Sequence, residues 1–598
     1  MTAGPQDSAE GDTAKTDAEA AEARAAAEDA KSGELAGLVD AEPAEVLSEA
    51  RIPRLFRKLM RVFLWLRRGA ARGVENVRTF VGEGNPTLWT LALLVGAGVG
   101  LAAVVFRHAI GVVQWAWLGE AGERIVSAVE AQPWYVVLLA PVVGGIIVGQ
   151  LNHRVLSRRR PAAVADVIEA SARGGAGLST SDGLVSAFAT AISLGSGASA
   201  GREGPVIHLG ATVSAMLIRL TKLPPQACRI ILACGVASAI SASFNAPIAG
   251  VLFAHEVVLR HYAVSAFVPI VIASVAGTLV GRYFIGNIAA FVIPQYHIGS
   301  YWEVPAFALL GVVAAIVAIS FQFTLIVFDQ TAREIIMPAW ARPILGGLVI
   351  GAIGVFLPEI LGVGYEATDD ALRGNFALGF MILLVVVKIP ATAITLASRF
   401  GGGVFTPSLY LGAMTGGAFG IIAAQVFPDL ASDHGLYAIL GMGAVAAAIL
   451  GAPISTTVIV FELTGGYALS IALLLTVSIA TGLHLAVHRR SYFYWQLETR
   501  GVVLAEGPHR YFLKTVQVST FMSKLEGPAS LTDDEDERKV RANDSLETAL
   551  RIFNETGADA LAVVDPRAPR EVVGSVTHVQ ALRAYNRRLV ETSVEEHR

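Results

Sequence analysis

Long apolar runs separated by short polar segments dominate the chain from about residue 86 to 488. Runs such as 91–106, 136–148, 307–319 and 471–487 approach the roughly 20 residues that a helix needs to cross a bilayer. Glycine or proline interrupts many of them, which is typical of membrane helices that pack closely or stop midway. The pattern predicts an all-α polytopic membrane protein.

The composition supports a membrane protein and excludes an ordinary soluble chain. Of 598 residues, 54% are hydrophobic and 16% are charged, whereas soluble domains carry roughly 25% charged residues. Two cysteines, Cys228 and Cys234, lie in one apolar stretch and provide no disulfide framework. The net charge of −4 averages segments of opposite sign, so charge is informative only segment by segment.

Four segments follow from these differences. Residues 1–50 hold thirteen acidic and three basic residues and no aromatic ring, which predicts a disordered acidic segment. Residues 51–85 are basic and amphipathic, which predicts a helix on the cytoplasmic membrane face; a simple topology signal explains the same charges. Residues 86–501 form the predicted membrane domain. Residues 502–598 alternate helical and strand patterns, which predicts a small α/β cytoplasmic tail.

Two sequence blocks recur in the same order in both halves of the membrane region. The blocks are P-x-x-x-L-G-A and Ala-Pro-Ile, at residues 205–211 and 246–248 in one half and at 407–413 and 452–454 in the other. Glu256 and Glu462 each follow the second block's proline by nine positions. We therefore predict duplicated halves, at about 86–285 and 300–490, with a transport site near the bilayer midplane.

Glu203 stands at the predicted start of a helix at membrane depth. Residues 195–204 are rich in glycine and serine, so the backbone can leave helical geometry there, and Pro205 suits the first turn of a new helix. Such a start directs N–H groups and the positive dipole end inward, which predicts an anion site. An ionisable residue in the membrane is a functional candidate; a capping carboxylate or an ion pair with Arg202 is the structural alternative.

The second half repeats this design at residues 401–407, where three glycines precede Pro407 by a few positions. Two helix N-termini that point at one place would replace the hydration of a small anion with fixed dipoles. Helix packing is an alternative that does not exclude anion binding, because Gly412 and Gly416 form a G-x-x-x-G surface.

Two other patterns match enzyme motifs poorly. Residues 195–200 fit the loose G-x-G-x-x-A dinucleotide fingerprint, but neither a preceding strand nor the expected acidic residue accompanies them. His255 and His261 flank Glu256, but six positions on a helix place the two rings on different faces, unsuited to one zinc. We expect no enzyme, no cofactor, no metal site and no nucleic-acid partner; an intramembrane metalloenzyme built on His255 and Glu256 is the rival hypothesis.

The chain resembles the CLC family of chloride channels and chloride/proton antiporters. The matching blocks are G-R-E-G-P, F-N-A-P-I-A-G, G-V-F-T-P and G-A-P-I, at residues 201–205, 244–250, 403–407 and 451–454. The resemblance implies an inverted-repeat helical fold, a homodimer in the lipid bilayer, and one pathway per subunit for chloride or other small anions. It implies that Glu203 is the gate, because its carboxylate competes with the anion for one positive site. The anion-binding residues that it implies are Gly201, Arg202, Gly204, Val404 and Phe405.

Two positions of the implied anion site depart from the family's pattern. Ala162 stands, in the nearest register, where family members carry a serine that coordinates the anion. Phe493 stands at the position of the family's central tyrosine, with Tyr492 and Tyr494 on either side, so a small shift of register would restore a hydroxyl. We therefore expect a weaker or shifted central site.

The inner proton position also departs from the antiporter pattern. Antiporters carry two consecutive glutamates, of which the second transfers protons; here Glu256 is followed by Val257. Because an apolar side chain cannot carry a proton, we predict a chloride channel, with a chloride/proton antiporter as the alternative. A fluoride/proton antiporter fits less well, since Gly204 and Pro205 follow Glu203 as in chloride-type members.

The tail resembles a CBS region, with a helix–strand–strand–helix pattern at residues 544–585. Adenosine-binding members carry an aspartate where this chain has Gln580, so a structural or dimer-contacting role is expected ahead of nucleotide binding. The resemblance and the charge pattern together predict a multi-pass protein of the cell membrane with both termini in the cytoplasm.

Overall fold

The computed structural model describes residues 65, 75, 85–173, 177–221, 223–287, 291, 296, 298–464, 469–502, 513, 516–530, 539–566, 568 and 570–597. The predicted acidic segment at 1–50 lies outside the described residues. So does the predicted basic helix at 51–85, apart from Trp65, Glu75 and Asn85.

Helices, numbered here in chain order, build the membrane part. Those of the first half are α1 (Asn85–Leu118), α2 (Ile125–Glu130), α3 (Trp134–Arg154), α4 (Val164–Ala172), α5 (Thr180–Gly195), α6 (Glu203–Leu220), α7 (Pro225–Phe244), α8 (Pro247–Phe253) and α9 (Val264–Ile285). Those of the second half are α10 (Val304–Glu334), α11 (Arg342–Phe356), α12 (Tyr365–Leu372), α13 (Leu378–Ala397), α14 (Phe405–Val426), α15 (His434–Leu450), α16 (Pro453–Thr464), α17 (Ser470–His488) and α18 (Tyr492–Glu498). Among the described residues, eight helices are long and apolar enough to cross a membrane. The predicted all-helical membrane fold is confirmed.

Close contact between α14 and α15 explains the G-x-x-x-G surface. A Cβ atom on Gly412 would overlap the carbonyl of Gly441, and one on Gly416 would overlap the carbonyl of Tyr437. Both glycines are therefore needed for packing, as the packing interpretation of this motif expects. The N-terminus of the same helix follows the second glycine-rich run, so the packing glycines lie in the middle of α14 and the predicted anion site lies at its start.

The repeated proline-to-glutamate spacing produces a reciprocal pair of helix caps. Glu256, in a π-helical turn (Ala254–Leu259) that extends α8, accepts hydrogen bonds from the two amides after Pro453 at 3.1 and 2.8 Å and from the Ser455 hydroxyl at 2.7 Å. Glu462, near the end of α16, accepts from the two amides after Pro247 at 3.0 and 2.7 Å. Each half thus supplies the carboxylate that satisfies the first amides of the other half's helix.

The C-terminal region is a small α/β unit. Its elements are β1 (Ser523–Ser530), β2 (Lys539–Arg541), α19 (Leu546–Thr556), β3 (Ala560–Val564), β4 (Glu571–Thr577) and α20 (His578–His597). The sheet order is β1-β4-β3-β2, with β2 and β3 parallel and the other pairs antiparallel. The predicted α/β tail is confirmed. Gln580 forms a capping box with Thr577, in which the Thr577 amide donates to Oε1 at 2.9 Å and the Gln580 amide donates to Oγ1 at 3.2 Å.

Candidate functional site

A backbone bridge joins the starts of α6 and α14. The Gly201 amide donates to the Gly403 carbonyl at 2.8 Å, and the Gly403 amide donates back to the Gly201 carbonyl at 2.8 Å. A Cβ atom on Gly201 would lie 3.0 Å from both a Glu203 carboxylate oxygen and the Thr406 amide, so only glycine fits comfortably. The two glycine-rich runs therefore bring two helix N-termini together, where the first amides have no partner within their own helix.

The Glu203 carboxylate lies buried at this junction, with 1% of the residue exposed. Its Oε1 accepts a hydrogen bond from the Tyr365 hydroxyl at 2.7 Å, and its Oε2 accepts one from the Thr406 hydroxyl. The Arg202 Nε lies 3.6 Å from Oε1, so the ion pair named above as the structural alternative is present at longer range. Both hydroxyl donors belong to the second half of the chain, so the carboxylate bridges the halves.

A cavity of about 490 Å³ lies on one side of Glu203, and we call it the tail-side cavity because Thr499 and Arg500, which lead towards the tail, line it. Five of the predicted anion-site residues line it: Gly204, Val404, Phe405, Tyr492 and Phe493. Phe405 packs against Phe244, with ring centroids 5.2 Å apart. Because Val404 and Phe405 line it, the cavity reaches the N-terminus of α14, where Thr406 donates to Glu203.

The charge lining the tail-side cavity favours anions. Its charged lining residues are Arg158, Arg160, Arg333, Arg399 and Arg500 together with Glu169 and Asp329. An excess of arginines in a concave, partly apolar wall raises the local concentration of anions. Asp166, buried beside the cavity, accepts hydrogen bonds from Arg160 at 2.7 Å, Arg158 at 2.8 Å and Arg500 at 3.0 Å, which ties α4 to the segment after α18.

A second cavity of about 490 Å³, the far-side cavity, is lined by Arg107, Glu123, Arg202 and Tyr365. Arg202 contacts the Glu123 carboxylate at 2.6 Å and places its guanidinium 4.7 Å from the centroid of the Tyr365 ring. Burial acts to raise the pKa of Glu123, but Arg202 and Arg107 outweigh it, and the pKa lies below its ordinary value. Arg202 lines this cavity and Gly204 the other, so Glu203 lies between them.

Two predicted anion-site residues lie elsewhere. Ala162 lines a smaller cavity of about 120 Å³, where its amide donates to the Ser186 hydroxyl at 3.1 Å. The Tyr494 ring lies 4.9 Å from the guanidinium carbon of Arg260. Of the three neighbouring aromatic residues, Tyr492 and Phe493 therefore face the tail-side cavity, and the Tyr492 hydroxyl accepts from Gln496 at 2.9 Å.

The predicted inner proton position holds a buried apolar side chain beside a cap. Val257 is 2% exposed, and the adjacent Glu256 carboxylate binds the first amides of α16, as described above.

Sequence reasoning missed Tyr365, Thr406 and Glu123. Thr406 lies within the family-matching G-V-F-T-P block and could have been found there as a hydroxyl beside the second N-terminus. Tyr365 follows Gly364, which must be glycine because its φ is 87° and a Cβ atom there would overlap the Tyr410 ring. The G-x-G at residues 362–364, just before a short helix, was the available sequence signal. Glu123 lies in a short connection with no motif.

Comparisons with known proteins bear on the family and the fold. The family model described as "Voltage gated chloride channel" matches residues 144–484. A protein of Ralstonia nicotianae named "Putative chloride channel protein ClcB-like" is 32% identical over 392 residues, which cover 64% of this chain and 90% of that protein. An H(+)/Cl(-) exchange transporter ClcA of Cronobacter sakazakii is 29% identical over 65% of this chain and 85% of its own length.

Among solved structures, a slow cyanobacterial Cl−/H+ antiporter superposes with a TM-score of 0.61 at 22% identity, covering 69% of this chain and 97% of the antiporter. At that identity the likeness concerns the fold alone. With the family model covering more than half of the chain and the helices, inverted halves and glycine-rich N-termini in place, this protein belongs to the CLC family of voltage-gated chloride channels and related anion transporters.

Proposed function

We propose that the chain carries chloride across the cell membrane through a pathway gated by Glu203, one pathway in each subunit of a homodimer. The observation that carries this proposal is the Glu203 carboxylate, buried between two helix N-termini and between two cavities. A carboxylate that occupies a site built for an anion competes directly with chloride. Both termini are proposed to lie in the cytoplasm, so the tail-side cavity would open there.

Gating follows from the contacts of Glu203. Its carboxylate must leave the hydroxyls of Tyr365 and Thr406 before an anion from the tail-side cavity can reach Arg202. Proton uptake by Glu203 removes the negative charge that opposes chloride and weakens both hydrogen bonds, because a charged acceptor binds more strongly than a neutral one. Flux is therefore expected to rise as protons become available to Glu203.

The apolar side chain of Val257 favours passive conduction over proton-coupled exchange. Val257 offers no proton carrier, and the neighbouring Glu256 carboxylate is engaged by the amides of α16. Proton-coupled exchange is the second candidate, because a relative at 29% identity is named an H(+)/Cl(-) exchange transporter. Chloride is proposed ahead of fluoride because Glu203 is followed by Gly204 and Pro205.

The test is chloride efflux from liposomes that contain the purified full-length chain, with simultaneous proton recording and a controlled voltage. Chloride flux without uphill proton movement would support passive conduction, and stoichiometric proton counter-movement would establish exchange. Glu203→Gln should leave a chloride flux that no longer depends on pH and moves no protons uphill, because the amide cannot take up a proton.

Glu303→Gln is the matched control for this variant. Glu303 is also buried and also accepts from a tyrosine and a small hydroxyl, Tyr437 at 3.0 Å and Ser432 at 2.7 Å, but away from both cavities. Its substitution should leave the pH dependence of flux unchanged. Absence of flux for chloride, bromide and nitrate in the folded wild type would refute the proposed function.

A further inference from the structure

Arg107 and Arg202 converge on one carboxylate oxygen in the far-side cavity. The Arg202 Nη1 lies 2.6 Å and the Arg107 Nη2 lies 2.9 Å from Oε1 of Glu123. Arg107 projects from α1, whereas Arg202 directly precedes α6, so separate elements bring the guanidinium groups together. The Arg202 side chain is 7% exposed, and the other two are about one-third exposed.

The charge of this cluster does not balance. Arg107 and Arg202 face Glu123, Arg202 also lies near Glu203, and Arg282 lines a small adjoining cavity. Three guanidinium groups therefore stand against two carboxylates. Guanidinium groups donate in the same way to a carboxylate oxygen and to another anion. The place that the Glu123 oxygen occupies therefore suits a monovalent anion even when the carboxylate is absent.

Glu123 lies on a segment that can move without the unfolding of a helix. The connection of residues 119–124 joins α1 to α2, and Gly119 within it has a φ of 77°. Residues 119–122 and Arg124 are exposed, while Glu123 is half-buried. Rotation of this short segment would withdraw the carboxylate and leave both arginines in place, because they belong to other elements.

The cluster also contacts the gate. Arg202 is shared between the two carboxylates, with its Nη1 on Glu123 and its Nε 3.6 Å from Glu203. An anion that replaced Glu123 would share the Arg202 guanidinium with the Glu203 carboxylate. Occupancy on the far side is therefore coupled to the position of the gate.

We propose that Arg107 and Arg202 form a second anion-binding site on the far side of Glu203, and that Glu123 occupies it as a competing carboxylate when no anion is bound. The proposal rests on the proposed function, in that chloride is the anion taken. It adds a site and a second competitor that lie outside the glycine-rich N-termini.

The test compares Glu123→Gln with Glu120→Gln in the full-length chain. Both variants remove one negative charge from the same connection, but Glu120 is exposed and the structure places it outside the far-side cavity's lining. In planar bilayers, with chloride varied on the side opposite the tail, Glu123→Gln should raise the apparent chloride affinity at least about threefold, the scale of a partly exposed ion pair. Glu120→Gln should match the wild type, and Arg107→Gln should lower the affinity.

Direct localisation uses bromide and its anomalous X-ray scattering. A bromide peak between Arg107 and Arg202 in Glu123→Gln, stronger than in the wild type at equal concentration, is the expected result. Absence of that peak, or equal affinities in the Glu123 and Glu120 variants, would overturn the second site while leaving chloride transport intact. A wild type that carries no anion would refute the proposed function instead, and the bromide measurement would still decide whether the site exists.

Discussion

Removal of the reciprocal caps tests whether Glu256 and Glu462 stabilise the protein or carry protons. Glu256 accepts three hydrogen bonds and Glu462 accepts two, all at the starts of α16 and α8. Replacing a capping acceptor by alanine costs about 0.5–2 kcal/mol. Glu256→Ala should lie near the upper end of that range because it also leaves the Ser455 hydroxyl without its partner, and Glu462→Ala should lie lower.

The two losses should not simply add. Both caps join α8 to α16, so loss of one cap lets the helices shift and weakens the other. Residues that share such a contact show interaction energies of about 0.5–3 kcal/mol. We therefore expect the double variant Glu256→Ala with Glu462→Ala to cost less than the sum of the single variants.

The assay is thermal unfolding in detergent, followed by flux in liposomes. A loss of about 2 kcal/mol should lower Tm by only about 2 °C, because the entropy of unfolding grows with chain length. Glu334→Ala at the exposed end of α10 should not change Tm. Glu256→Gln keeps one acceptor oxygen, so it should lower Tm less and leave chloride flux and proton movement as in the wild type. An unchanged Tm in Glu256→Ala would refute the capping argument. Loss of proton movement in Glu256→Gln, with Tm preserved, would make Glu256 a proton carrier.

Two further substitutions test the contacts of the gate. Tyr365→Phe removes a hydroxyl donor from the Glu203 carboxylate, and a hydrogen bond to a charged group contributes about 1.5–3 kcal/mol. The conformation in which Glu203 has left this position should therefore become at least about tenfold more populated. Chloride flux at neutral pH should rise. Thr406→Val should act in the same direction by removing the other donor, again measured as liposome efflux. Tyr437→Phe is the control, because it removes a tyrosine hydroxyl from Glu303; it should lower Tm without raising flux. A fall in flux for Tyr365→Phe or Thr406→Val, with the protein folded, would contradict the assigned contacts.

Local sequence rules predicted the parts of the site that depend on neighbours in the chain. Glycine runs followed by Pro205 and Pro407 predicted two helix starts, and α6 and α14 begin at Glu203 and Phe405. These predictions succeed because helix starts are determined by backbone freedom and by the missing N–H of proline within a few residues. The all-helical fold follows from the apolar runs for a similar reason, since each span satisfies its own backbone hydrogen bonds.

Contacts between distant segments could not be predicted in this way. Tyr365 reaches Glu203 from 162 positions away, and Arg202 reaches Glu123 from 79. The spacing of Glu256 and Glu462 was visible as a repeat, but its meaning depends on α8 and α16 meeting in opposite orientations, which no local pattern specifies. The sequence also left open which of the three aromatic residues after α17 faces the cavity. The structure places Tyr492 and Phe493, at the start of α18, on the tail-side cavity.

In the proposed mechanism gating is local, because of how the contacts between the halves are distributed. The Gly201–Gly403 bridge and the Glu256 and Glu462 caps join the halves through backbone amides, which a movement of the Glu203 side chain leaves untouched. The contacts that Glu203 must break are side-chain hydrogen bonds to Tyr365 and Thr406. Displacement of that one carboxylate would therefore open the space between the N-termini while the amides that would bind chloride stay in place. The proposed site would need no reorganisation of α6 or α14 to receive an anion.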